Sequence, residues 1–69
     1  MHEKKVLNRR PIEEGVVLEH VQNTRDGAQP YSLIYIDGVQ YFSTPTEKEA
    51  EMLKWYSDNR KSILEGIRG

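Results

Sequence analysis

Two strand-forming runs joined by a bare Asp37-Gly38 constrain this chain more than any other feature of it. A two-residue type I′ turn needs positive φ at both of its positions, which Asp and Gly tolerate, so the flanking residues are set against each other as a β-hairpin. With no bulge, Ile36 faces Val39, Tyr35 faces Gln40, Ile34 faces Tyr41 and Leu33 faces Phe42. Directly opposed residues share a face of the sheet. Ile34, Ile36, Val39 and Tyr41 are therefore expected on one face, and Tyr31, Leu33, Tyr35 and Phe42, with Gln40, on the other.

The hairpin leads at once into a helix signal. Thr44 suits the cap, Pro45 the first helical position and Glu47 the far side of a capping box, and Thr46 with Glu49 repeats the device two residues later. Beyond them Met52, Leu53, Tyr56, Ile63, Leu64 and Ile67 fall on one stripe at helical period. Glu51, Lys54, Asp58, Lys61 and Glu65 make a charged opposite face. Ser57-Asp58-Asn59 brings three poor helix formers together, a place for the helix to bend or break, and Gly66 is the expected stop.

Upstream, the β-branched run from Val16 to Gln22 supplies a first strand, and Asn23 to Pro30 reads as turn and loop. Residues 1–15 show no period: Val6, Leu7 and Ile12 neither alternate nor repeat every third or fourth position, and Pro11 and Gly15 interrupt them. The expected fold is α+β, a three-stranded antiparallel meander packed by one C-terminal amphipathic helix. A flexible polar and basic arm, 1–15, precedes a single small domain, 16–69.

At 69 residues such a domain is in the size range where one core is marginal and an external source of stability is common. Cysteine is absent and histidine is limited to His2 and His20, so disulfides are excluded and no thiolate or His-rich metal site is expected; no cofactor is implied either. No apolar stretch approaches bilayer length, and the expected location is cytoplasmic. Charge is unevenly spread: +3 over residues 1–10, −4 over residues 11–43, and balanced thereafter. Basic character is thus confined to the arm rather than spread as a nucleic-acid footprint.

The register sharpens the question of function, because neither face of the hairpin alternates toward polar residues and one helix covers only one face. The aliphatic set is expected under the helix, leaving Tyr31, Leu33, Tyr35 and Phe42 to be covered by a second copy of the chain, by the arm folding back through Val6, Leu7 and Ile12, or by a foreign protein. Wetting several such side chains forfeits a few kcal/mol at about 25 cal/mol per Å2, comparable with the stability of a small domain. Trp55 at the margin of the stripe, with Arg60 on the adjoining surface, extends the candidate contact set in the residue types that interfaces favour. The leading expectation is a protein-interaction module, a homodimer or one docked on another protein. The alternative is a nucleic-acid accessory protein using Lys4, Lys5, Arg9 and Arg10 for phosphates and the same aromatic face for bases.

No constellation points to catalysis. His20 follows Glu19 within a strand, so the two point to opposite faces, and Glu13-Glu14 reads as a solvated acidic pair. The serines stand in no nucleophile-elbow motif, and the glycines occur singly rather than as a phosphate-binding loop.

Overall fold

The computed structural model describes residues 4–23 and 29–69. They form four strands and a helix: β1 (Lys4–Glu13), β2 (Val16–Asn23), β3 (Tyr31–Ile36), β4 (Val39–Pro45), a single 3-10 turn (Thr46–Lys48) and α1 (Glu49–Arg68). The strands lie in sequence order, β1-β2-β3-β4, every pair antiparallel. The α+β class stands, but the sheet has four strands rather than three. Most of the loop expected over Asn23 to Pro30 falls at residues 24–28, outside the described residues.

The additional strand is the stretch expected to be an arm. Its pairing with β2 shifts register twice, between Val6 and Asn8 and between Pro11 and Glu13, so Leu7 and Ile12 are the extra residues of two β-bulges. A bulge inserts one unpaired residue and resets the alternation beyond it. That is why the apolar residues showed no period. Pro11 is tolerated because β1 is an edge strand, where a missing N–H need not break a ladder. The arm therefore widens the sheet instead of folding over it, and Val6, Leu7 and Ile12 remain exposed.

In the central hairpin Asp37 (φ 52°) and Gly38 (φ 85°) make the expected turn, and the Ile36–Val39 and Tyr35–Gln40 pairs form as read. Past them the register slips. Ile34 faces Phe42, Leu33 faces Ser43 and Ser32 faces Thr44, with Tyr41 the residue left over. The face assignment is corrected accordingly: Phe42 joins Ile34 and Ile36 on the helix side. Tyr31, Leu33 and Tyr35 keep the other face without it.

The core lies between that side of the sheet and α1. Val16, Leu18, Ile34 and Ile36 pack with Met52, Tyr56 and Leu64, and Phe42, Leu53, Ile63 and Ile67 flank them. The helix stripe is the expected one, and Glu51, Lys54, Asp58, Lys61 and Glu65 are exposed. Two other details differ. The residue added at Tyr41 carries strand pairing as far as Tyr31–Pro45, so Thr44 is a strand residue and the capping box does not form; the helix start has no side-chain cap. Instead the Thr46 N–H donates to the Pro30 carbonyl at 3.1 Å, and fully buried Ser32 donates to Glu49 Oε1 at 2.8 Å, tying β3 to the first turn of α1. Nor does the helix break at Ser57-Asp58-Asn59 or stop at Gly66. Buried Tyr56 anchors the turn, the Asn59 amide donates back to the Trp55 carbonyl at 2.9 Å, and Gly69 (φ 86°) closes the helix with its N–H on the Glu65 carbonyl.

Arginine forks from α1 fasten the turn ends of both hairpins. Arg60 places Nε 2.5 Å from Glu13 Oε2 and Nη2 2.6 Å from Glu13 Oε1, and the Tyr56 hydroxyl donates to Glu13 Oε2 at 3.2 Å. At the helix end, Arg68 forks Asp37 and its Nη2 donates to the Glu14 carbonyl at 3.2 Å, while the Asp37 N–H donates to the Gly15 carbonyl at 2.7 Å. Glycine is favoured at position 15 on two counts. Its φ is +77°, and a Cβ would lie 2.5 Å from Asp37 Oδ1 and 2.6 Å from Arg68 Nη2.

Candidate protein-interaction surface

The two edges of the sheet differ in chemistry. An edge strand presents unpaired N–H and C=O groups that template pairing with another chain, and proteins guard such edges with charge, proline and bulges. β1 has all three: Lys5, Arg9 and Arg10, Pro11, and two bulges. β4 has one bulge and a terminal Pro45, but no charged residue from Val39 to Pro45. It is the open edge.

Exposed apolar side chains occur on both edges, Val6, Leu7 and Ile12 on β1 and three more beside β4. Val39 is 54% exposed, Tyr41 44% and Trp55 45%. Successive ring contacts link the strand to the helix: Tyr41 and Phe42 lie 6.2 Å apart between centroids, and Phe42 meets Trp55 edge-on at 5.0 Å and 79°. Edge-to-face geometry at this distance is a favourable aromatic arrangement. It holds Trp55 over β4, with part of its indole open to solvent.

The residues expected at the interface are thus redistributed. Phe42 and Trp55 are together, Phe42 half-buried as the support beneath the indole. Leu33 is buried, and Tyr31 and Tyr35 are half-buried on the face away from α1. That face holds a concavity of about 320 Å3 lined by Arg9, Gly15, Val17, Glu19, Tyr35 and Gly38. Arg60 is committed to Glu13 and serves the fold. Val39 and Tyr41, which sequence reasoning passed over as core, are the additions; the uncharged run after Asp37-Gly38 was the signal available for them.

Of the cations expected at phosphates, Arg9 and Arg10 do not converge. Lys4 opens β1 and Lys5 follows it; Arg9 pairs across the sheet with Glu19, its Nη2 2.9 Å from Glu19 Oε2, whereas Arg10 faces Leu18 and so lies on the helix side. Residues 9 and 10 consequently serve opposite faces, and one of them is held by an almost fully buried carboxylate.

Charges near the helix are shifted by their forks. Hydrogen bonding from Arg60 holds Glu13 below the usual carboxylate range, against the opposing pull of desolvation, and Arg68 does the same to Asp37. Burial, reinforced by the Glu13 charge, pushes the Tyr56 phenol above its ordinary value. These groups are locked into fold contacts. His20 stands opposite Ser32 on the helix side, and its Nε2 is buried with no hydrogen-bond partner among the described residues. No group of three or more His, Cys, Asp or Glu side chains suited to a metal occurs among the described residues, and no described helix is long and apolar enough to cross a membrane. No family model matches this chain, and neither a curated protein sequence nor a solved structure matches it.

Proposed function

We propose that this protein is a small non-enzymatic interaction module, working in the cytoplasm, that binds another polypeptide along the β4 edge. The observation that carries this reading is the junction of an uncharged open strand edge with an exposed strip of Val39, Tyr41 and Trp55. Main-chain groups of an edge strand supply affinity to any extended partner, and side chains beside the edge supply selectivity. Rings are well suited to that second task, because they bury large area with few rotatable bonds.

Photo-crosslinking tests the reading whatever the partner is. A photoreactive residue at Gln40, exposed on β4, should give discrete adducts in cells expressing the full chain. The same group at Lys61, exposed on the charged face of α1, should not. Equal yields at the two positions, or no adduct at Gln40, would refute docking at this edge.

A further inference from the structure

We infer that the occupant of the β4 edge is β4 of a second copy, paired antiparallel about a two-fold axis normal to the sheet. The inference rests on the docking reading above and names its partner. Isologous pairing sets a surface against itself, so a strand carrying charge of mainly one sign is repelled by its own copy along the seam. β4 has none, and two antiparallel copies of Val39–Pro45 place only apolar and neutral polar side chains opposite one another. The other edge is unsuited to the same arrangement, because two β1 strands would bring Lys5, Arg9 and Arg10 together with their duplicates.

Symmetry then accounts for the position of Trp55. A two-fold axis normal to the sheet keeps both helices on the same face of the joined eight-stranded sheet. Each Trp55 already stands over β4, propped by Phe42, so both indoles flank the seam from above. Their solvent-open portions, together with Tyr41 and Val39, are the apolar surface that pairing would remove from water.

Trp55 is the only tryptophan in the chain, which gives the test a built-in reporter. Light-scattering mass and tryptophan emission are followed together from about 1 µM to about 1 mM, the span in which weak and moderate self-association becomes visible. The wild-type mass should double, with a blue shift of emission at the same concentrations. Tyr41→Lys and, separately, Val39→Lys should stay at monomer mass with unchanged far-ultraviolet circular dichroism, since both positions are exposed. Leu7→Lys, at a residue 46% exposed on the guarded edge, should still double. Mass that never doubles, or a dimer that survives both β4 variants, overturns the inference. If Gln40 adducts then contain a foreign chain, the docking reading stands without the second copy; if there are none, both fall.

Discussion

Arg68 and Asp37 lie 31 residues apart and meet in a two-pronged fork, Nε to Oδ2 and Nη2 to Oδ1, each at 2.9 Å. The pair joins the last turn of the helix to the turn of the central hairpin. Through the Glu14 carbonyl it also reaches the first hairpin, so two chain reversals and the end of the helix are clasped at one end of the sheet. Both side chains are partly exposed, and solvent screening keeps the energetic contribution of such a fork small. Its main consequence is positional.

That clasp predicts an acid-sensitive contribution to stability. Asp37 and Glu13 titrate below their ordinary values of 3.8 and 4.5, so the fold prefers their charged forms. The stabilisation is therefore fully present above those ordinary values and is lost as pH falls through the lowered ones. Arg68→Ala and Arg60→Ala should each lower Tm modestly at neutral pH, with the gap to wild type closing on acidification. Thermal melts across pH check this; a gap that persists unchanged into strong acid would show that the forks act through packing alone.

Gly15→Ala should destabilise by about 1–3 kcal/mol, from a side chain held at positive φ and driven into the Asp37 and Arg68 contact. Gly38→Ala should cost less, because its added Cβ meets nothing within 4 Å and only the backbone conformation is strained. Urea unfolding of the two variants gives the order directly, and a reversed order would mean that the clasp yields easily.

Ser32→Ala removes a fully buried donor and leaves the Glu49 carboxylate short of a partner at the start of α1. A loss of about 1–3 kcal/mol is expected. Hydrogen exchange should localise the effect to the 3-10 turn and the first turn of α1, whereas uniform loosening would assign Ser32 to the general core.

Deleting Tyr41 should preserve cooperative unfolding, since the remaining residues keep Phe42 opposite Ile34 without a bulge. Deleting Phe42 brings Tyr41 to that position, so a phenol ring replaces the phenyl beside Trp55 and places its hydroxyl in the core flank. Near-ultraviolet circular dichroism of Trp55 should persist in the first deletion and weaken in the second.

How much was legible follows from which signals were local. Asp37-Gly38 declares its turn because the conformation belongs to those two residues, and the stripe from Met52 to Ile67 declares its helix because the spacing survives Ser57-Asp58-Asn59. β1 was hidden for a different reason. Leu7 and Ile12 are the bulge residues that scramble alternation, and their partners are in β2, so only the pairing itself reveals the strand. The slip at Tyr41 is of the same kind: nothing in Gln40-Tyr41-Phe42 marks which residue will be left over. It moved Phe42 across the sheet, displaced the capping box into β4, and turned an expected aromatic face into an aromatic edge.

The coincidence of strand order with chain order has a kinetic meaning as well. Every strand of this sheet finds its neighbour by closing a connection to the adjacent segment, and such nearby closures require little search by the unfolded chain. Folding should therefore be fast for a protein rich in strands, with the two short-turned hairpins free to form early. The late event is the return of α1 across the finished sheet, because only that step joins Arg60 and Arg68 to residues near the start of the chain.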